Sequence, residues 1–134
     1  MHKHEQGVLD TSVVIDLNLI DLADLPRSAS ITAVTLAELT AGPLTTRDPA
    51  ERAKRLNRLQ WVEGKFEALP FDVEAARAYG RIYAASLAVN QKPRGGRAID
   101  LMIVATALSR SLPLYTRNPR DFAPFSDLLE ILPL

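Results

Sequence analysis

Hydrophobic residues along the chain occur as short continuous runs that alternate with longer segments of helical spacing. The runs of strand length are residues 7–10, 29–34, 68–71, 113–116 and 128–132. The segments with helical spacing or helix-start signals are residues 12–17, 35–41, 50–66, 72–89 and 98–109. Strands that alternate with helices are typical of an α/β fold in which helices cover both faces of a parallel sheet. We therefore expect that fold, with a loop at residues 91–96 and a turn at 118–121.

Polar residues mark the expected helix starts. Thr11 or Ser12 is expected to cap the first helix, and Thr35 with Glu38 matches a capping box at the second. Asp72 is expected to cap the helix at 72–89. The segment at 50–66 predicts an amphipathic helix, and the segment at 98–109, apolar nearly all round, predicts a helix buried against the sheet.

Composition excludes several classes of protein. The chain has 134 residues, 47% of them hydrophobic, which is enough for one folded domain over residues 1–134. It contains no cysteine, so disulfide scaffolds, zinc knuckles and thiol catalysis are excluded. The longest apolar stretch, residues 101–108, is far shorter than the ~20 residues that span a bilayer. Because no signal-peptide pattern precedes the first strand, we expect a cytoplasmic protein.

Charge is distributed unevenly although the formal net charge is zero. Residues 1–49 hold seven acidic side chains and three basic ones, whereas residues 92–120 hold six basic side chains and one acidic one. If the fold brings these regions together, an acidic centre gains a cationic margin. Such a surface suits a polyanion whose phosphate meets a bound metal, and the neutral total argues against broad nucleic-acid coating.

Four acidic residues are candidates for a shared site. In open parallel sheets, ligands bind at the carboxyl ends of the strands. Asp10 ends the first strand, Asp121 follows a late strand, and Glu38 and Asp100 each fall in the expected first turn of a helix. We therefore predict that these four carboxylates share one cleft. Each also has a purely structural alternative, since acids in a first turn favour the helix dipole and acids in turns act as caps.

Carboxylates that share a cleft need a counter-charge. At ~4 Å and an effective dielectric constant of ~20, each pair repels by about 4 kcal/mol. A divalent cation removes that repulsion, and hard oxygen ligands favour Mg²⁺ or Mn²⁺ over zinc. His2 and His4 are expected to be exposed terminal residues and not ligands. Without metal, at least one of the four acids is predicted to have a raised pKa or an arginine beside it.

Four segments stand out in order along the chain: VLDTSVVIDL at 8–17, TLAEL at 35–39, AIDLMIVATA at 98–107 and TRNPRDF at 116–122. Together they resemble the motifs of PIN-domain ribonucleases, and among them the VapC-type toxins of type II toxin–antitoxin pairs. One segment alone is weak evidence, but four in order across nearly the whole chain are specific. The resemblance implies a three-layer α/β/α domain with a central, mostly parallel sheet, and a Mg²⁺- or Mn²⁺-dependent endoribonuclease that hydrolyses RNA phosphodiester bonds.

The resemblance also implies roles for individual residues. Asp10 and Asp100 would be the principal metal ligands, Glu38 a ligand or water-orienting base, and Asp121 a ligand to a second metal or an outer acid. The same resemblance implies that Thr11 or Ser12 holds the first carboxylate or a phosphate, and that Asn118 braces the site. Asp16 departs from the pattern, in which its position is often apolar.

Partners follow from the resemblance and from the basic residues. The family implies a homodimer that a small VapB-like antitoxin inhibits with a tail across the active-site groove. Guanidinium groups suit RNA phosphates, although the same residues fit a solvated surface or antitoxin contacts. The candidate RNA-binding residues are Arg94, Arg97, Arg117 and Arg120. Trp61 and Phe66 are expected to be core or dimer residues, and Gly80 to allow a close approach of another element.

Other classes of α/β protein stay open to different degrees. A receiver domain needs a lysine at the end of a late strand, where residues 116–118 are Thr-Arg-Asn. A haloacid-dehalogenase-type phosphatase needs a second aspartate two residues after Asp10, where Ser12 stands. The remaining alternatives are a non-catalytic or signalling domain with an acidic metal-binding pocket, and a structure-specific DNA nuclease.

Overall fold

Five parallel strands form the centre of the molecule. The computed structural model of the chain describes residues 4–134. The strands are β1 (Gln6–Leu9), β2 (Ser28–Thr32), β3 (Glu67–Leu69), β4 (Leu114–Thr116) and β5 (Ile131–Pro133). Their order in the sheet is β3-β2-β1-β4-β5, and every pairing is parallel. The predicted parallel α/β sheet is thus confirmed, and the strand order reverses direction between β1 and β4.

Helices cover both faces of the sheet. They are α1 (Thr11–Ile15), α2 (Ala33–Ala41), α3 (Pro49–Lys65), α4 (Val73–Ala88), α5 (Gly96–Ser109) and α6 (Pro119–Phe122). Single 3₁₀ turns occupy residues 17–19, 22–24, 42–45 and 123–125. No helix in residues 4–134 is both long and apolar enough to cross a membrane.

Two hydrophobic cores give the three layers. Alternate residues of one strand point to opposite faces, so Val8 packs with the core formed by α4 and α5. Leu9 packs with the core formed by α1, α2 and α3. Leu114 and Tyr115 divide in the same way one strand away. The three-layer α/β/α arrangement expected from the sequence is therefore confirmed.

The sequence-predicted caps of α1 and α2 are wrong by one to three residues. Asp10 caps α1, because its carboxylate accepts the Val13 N–H at 3.1 Å. Thr32 caps α2 by accepting the Thr35 N–H at 3.0 Å, so α2 begins at Ala33. The strand ends therefore serve directly as helix caps. Glu38 lies in the second turn of α2, outside any capping box.

Three further boundaries differ from the prediction. Helix α5 begins at Gly96 and includes the end of the predicted loop, which places Asp100 in its second turn. Residues 119–122 form a short helix with Pro119 at its first position, where a missing N–H costs nothing, and not only a turn. Strand β5 covers residues 131–133 instead of the predicted 128–132, because residues 128–130 belong to the connection between the preceding 3₁₀ turn and the strand. The cap of α4 by Asp72 is confirmed, with the Ala75 N–H donating at 3.0 Å.

A close backbone approach occurs at Gly7 and not at Gly80. A Cβ atom added to Gly7 would lie 2.5 Å from the Tyr115 ring and 3.1 Å from Pro26 Cγ. A Cβ atom added to Gly80 would meet nothing within 4 Å. The expectation for Gly80 is therefore wrong, because its position on α4 faces open space. At Gly7 the tyrosine ring of the neighbouring strand covers the backbone of β1.

We predict opposite effects for alanine at these two glycines. Gly7→Ala is expected to lower the free energy of unfolding by about 1–3 kcal/mol, because the buried tyrosine ring must shift. Gly80→Ala is the matched control and is expected to raise it by about 0.5–1 kcal/mol, since alanine is the better helix former. Urea denaturation of both variants measures the two values. Equal effects would contradict the packing at Gly7.

Candidate active site

The carboxylate of Asp10 sits at the point where the strand order reverses. Asp10 follows β1 and is only 4% exposed. Its Oδ1 accepts hydrogen bonds from Ser12 Oγ at 2.6 Å and from the Val13 N–H at 3.1 Å. Its Oδ2 accepts one from Thr116 Oγ1, at the end of β4, at 2.5 Å. Donors from both sides of the reversal therefore fix this carboxylate in one orientation.

The loop after β4 is tied to α1 through the same hydroxyl groups. Ser12 Oγ accepts the N–H of Arg117 at 3.1 Å. Thr116 Oγ1 accepts the N–H of Asn118 at 3.0 Å. Asn118 thus supports the site through its backbone N–H, and its carbonyl accepts the Asp121 N–H at 3.0 Å. These bonds place the segment that carries Asp121 next to Asp10.

A chain of hydroxyl groups holds Glu38. Thr11 Oγ1 donates to Glu38 Oε1 at 2.6 Å and lies 3.0 Å from Thr35 Oγ1. Thr32 Oγ1 donates to Thr35 Oγ1 at 3.4 Å. Each hydroxyl group has one hydrogen, and that of Thr11 is already donated to Glu38, so Thr35 must donate to Thr11. Each hydroxyl group in the series therefore donates to the next one, and the last donates to the carboxylate. Glu38 is exposed, yet one of its oxygens has a fixed position.

Burial raises the pKa values of two acids, and neighbouring negative charges raise that of Asp100 further. Burial raises the pKa of Asp10, and its hydrogen bonds oppose the rise. The pKa of Asp100 rises to about 6, first through burial and then through repulsion by Glu38, with Asp10 and Asp121 adding to it. The Arg97 guanidinium acts in the opposite direction on Asp100. The predicted raised pKa and neighbouring arginine are thus both confirmed, and Asp100 senses the charges of the other three acids.

The donor chemistry of the site fits a hard divalent cation. The four side chains offer only carboxylate oxygens, and hydroxyl groups orient two of them. Within residues 4–134, no group of three or more acidic or histidine side chains is placed so that it could hold a metal ion. His4 does not take part, because its Nε2 lies 3.0 Å from Glu130 Oε1 and it is half-buried instead of exposed. His2 lies outside the described residues.

The four candidate arginines have different surroundings. Arg97 lies with its Cζ 5.5 Å from the centre of the Phe125 ring and donates to Gln91 Oε1 at 3.2 Å. Arg117 Nε lies 3.4 Å from Asp16 Oδ2. The other two are exposed and form no ion pair within the described chain; they are Arg94 and Arg120. The structure thus shows Arg97 beside Asp100 and Arg117 beside Asp10, while a cationic margin that includes Arg94 and Arg120 stays a prediction.

An apolar groove lies apart from the four acids. It has a volume of about 1000 Å³ and runs between α1, the following 3₁₀ turns and α3. Trp61 and Phe66 line it with their ring centres 5.9 Å apart, edge to face. Trp61 is 52% exposed, so of its two expected places the core is wrong, and a dimer interface stays a prediction. None of the four acids lines this groove.

Sequence reasoning missed three threonines that hold the acidic side chains. Thr32 and Thr116 are the last residues of β2 and β4, and Thr35 is buried in the first turn of α2. The available signal was their position, because hydroxyl groups at the carboxyl ends of parallel strands face the same edge as Asp10.

Known proteins share this arrangement over most of the chain. A model of the PIN domain matches residues 7–127. The chain is 41% identical over 120 residues to Ribonuclease VapC5 of Mycobacterium tuberculosis, which covers 87% of this chain and 85% of that protein. It is 29% identical over 129 residues to Ribonuclease VapC of Rickettsia bellii, and the alignment covers 90% of this chain and 91% of that protein. The fold matches a crystal structure of VapBC-5, a member of the VapBC family of toxin–antitoxin systems from Mycobacterium tuberculosis, with a TM-score of 0.85. The two sequences are 38% identical, and the match covers 97% of this chain and 99% of that chain.

We predict that Thr116 contributes more to stability than a buried threonine elsewhere. Thr116→Val removes a donor to a buried carboxylate and is expected to lower the free energy of unfolding by about 1.5–3 kcal/mol. Thr106→Val is the control, because Thr106 is equally buried but donates to the neutral Met102 carbonyl at 2.8 Å. Its expected loss is about 0.5–1.5 kcal/mol. Urea denaturation at neutral pH compares them, and equal losses would count against the role of Thr116.

The raised pKa of Asp100 predicts a pH-dependent effect of Asp100→Asn. The folded-state pKa of about 6 exceeds the unfolded value, so the metal-free fold loses stability as pH rises toward 6. Asparagine avoids that loss. In chelator, Asp100→Asn is therefore expected to melt above the native protein at pH 7.5, with a gap that narrows as the pH falls below about 6. Asp127→Asn, at an exposed acid, should leave the melting temperature unchanged, and a gap independent of pH would contradict the assignment.

Proposed function

The chain belongs to the PIN-domain family, and we propose that it is a divalent-metal-dependent endoribonuclease that hydrolyses RNA phosphodiester bonds as the toxin of a toxin–antitoxin pair. The relatives at 41% and 29% identity carry the name ribonuclease, and the matching crystal structure is of a toxin–antitoxin system. The observation that carries the proposal is the buried Asp10 carboxylate, which hydrogen bonds from α1 and from the end of β4 fix at the strand-order reversal, with Asp100 near enough to be repelled by the other acids. Acids that repel one another at a strand-order reversal fit a cation site for phosphate chemistry.

We propose that Asp10 and Asp100 are the principal ligands of Mg²⁺ or Mn²⁺, and that Asp121 binds a second ion or acts from outside. When bound, a divalent ion lowers the pKa of an attacking water and polarises the phosphoryl oxygen. Asp10 suits the role of first ligand, because three hydrogen bonds hold it while Oδ2, which accepts only one of them, keeps a free lone pair.

Glu38 is proposed as a ligand or as the group that orients the attacking water. Thr11 occupies Oε1, and the exposed position of Glu38 leaves Oε2 available to solvent. A carboxylate held at one oxygen can accept a water proton at the other without losing its orientation. The hydroxyl groups of Thr35 and Thr11 thus fix where that proton is taken up.

We propose RNA as a partner from the basic residues, and protein partners from the family. The arginines around the acidic cleft suit successive phosphates of one strand. A VapB-like antitoxin is proposed as the protein partner, because the matching structure is of a toxin–antitoxin system. A homodimer is proposed as the assembly from the family resemblance alone. With RNA as the substrate, we propose the cytoplasm as the place of action.

The proposed activity is tested with purified protein and a structured RNA. Cleavage is expected with Mg²⁺ or Mn²⁺, and none with chelator. Asp100→Asn and Glu38→Gln are expected to lower the rate roughly 100-fold or more, because each removes a carboxylate at the reacting centre. Quenched time points resolved on a denaturing gel give the rates.

Matched controls keep the charge change but move it away from the site. Asp127→Asn and Glu63→Gln replace exposed carboxylates outside the cleft and should cleave like the native protein. A DNA strand of the same sequence separates the alternatives, since preferential DNA cleavage would indicate a DNA nuclease. Binding of metal and antitoxin without any cleavage would support the non-catalytic domain instead.

A further inference from the structure

Arg117 is anchored beside the Asp10 carboxylate through its backbone. It directly follows Thr116, whose hydroxyl donates to Asp10 Oδ2. Its own N–H donates at 3.1 Å to Ser12 Oγ, which in turn donates to Asp10 Oδ1. Two consecutive residues of the β4 end thus act on the two oxygens of one carboxylate. The Cα atom of Arg117 therefore has a fixed place next to the proposed metal ligand.

The side chain of Arg117 makes a second contact with α1. Its Nε lies 3.4 Å from Oδ2 of Asp16, the residue that ends this helix. The Asp16 N–H donates to the Ser12 carbonyl at 3.3 Å, so Arg117 touches α1 at two points one turn apart. The side chains of the pair are 32% and 41% exposed, and ion pairs of that exposure add little to stability. The Arg117–Asp16 ion pair therefore has another role than stabilising the fold.

Other arginines of the margin are less suited to meet a phosphate in a defined place. Arg97 is committed to the Phe125 ring, to Gln91 and to the charge of Asp100. Arg94 and Arg120 are exposed and without an ion pair among residues 4–134, so binding would have to order long side chains. Arg117 alone among the four combines a fixed backbone, an oriented side chain and access to solvent.

We propose that Arg117 contacts an RNA phosphate next to the bond being cut, and that Asp16 is its positioning residue. The carboxylate of Asp16 engages the Nε side of the guanidinium, which leaves the terminal amino groups for the phosphate. Asp16 itself does not touch the RNA. This role rests on the proposed ribonuclease function and assigns a purpose to the acid that departs from the family pattern.

Binding without chemistry tests the phosphate contact. Fluorescence anisotropy of a labelled RNA oligonucleotide in chelator is expected to show about 10-fold weaker binding for Arg117→Ala. The slope of log affinity against log salt is expected to fall by about one, since one phosphate contact is lost. Arg117→Lys keeps the charge without the planar fork, so it is expected to restore the salt slope and only part of the affinity.

Kinetics with metal test the positioning role of Asp16. Asp16→Ala is expected to raise KM about 3- to 10-fold with kcat within about twofold, because substrate binding is affected and the reacting groups are not. Added to Arg117→Ala, it should have no further effect, since the residue it positions is absent. Glu5→Gln is the matched control, because Glu5 forms an exposed ion pair with Arg27 at 3.3 Å. Both residues lie at the amino ends of β1 and β2, whereas Asp10 lies at the carboxyl end of β1.

The outcomes separate this inference from the proposed function. If the native protein cleaves RNA and both substitutions leave KM and the salt slope unchanged, the role of Arg117 and Asp16 is overturned and the ribonuclease stands. If Asp16→Ala lowers kcat at constant KM, Asp16 acts on Asp10 through α1, and the phosphate role is wrong. If the native protein binds RNA but never cleaves it, the proposed function fails while the anisotropy result still decides the contact.

Discussion

The burial of one charged carboxylate is the constraint on which the rest of this structure depends. A charge removed from water costs several kcal/mol unless hydrogen bonds replace its hydration. Asp10 is 4% exposed, and its replacement donors come from α1 and from the end of β4. The start of α1, the neighbouring position of β1 and β4, and the course of the loop after β4 all follow from satisfying that group. The same bonds leave the carboxylate oriented for a cation.

The remaining acids show how the fold limits the cost of placing several carboxylates near one another. Asp100 lies in a half-buried turn of α5 and feels three like charges, against which only Arg97 acts. Glu38 and Asp121 stay at the exposed margin, where water lowers the cost of their charge. The fold therefore buries one acid with full hydrogen bonding, half-buries a second and leaves two in solvent. This gradation lowers the electrostatic cost of four carboxylates near one another.

Local patterns predicted most of the architecture and the four acids. The helix capped by Asp72, the amphipathic α3 and the alternation of strands and helices depend on neighbours in sequence, so they could be inferred from it. Tertiary contacts decided the rest. The bond from Thr116 to Asp10 spans 106 positions, and the tyrosine that covers Gly7 comes from another strand. The caps at Asp10 and Thr32 were missed because each of these residues stands at the end of a strand and also caps the helix that follows. Residue propensities do not show that one residue serves both purposes.

The strand order also sets when the acidic centre can form during synthesis. Proteins emerge amino end first at roughly 5–20 residues per second, and β4 is the fourth of five strands to appear. Until Thr116 has emerged from the ribosome, Asp10 lacks its hydrogen-bond partner across the sheet. A nascent chain therefore carries the first acid without the means to orient it. A nuclease built in this order becomes competent to cut only after β4 and the segment that carries Asp121 have been synthesised.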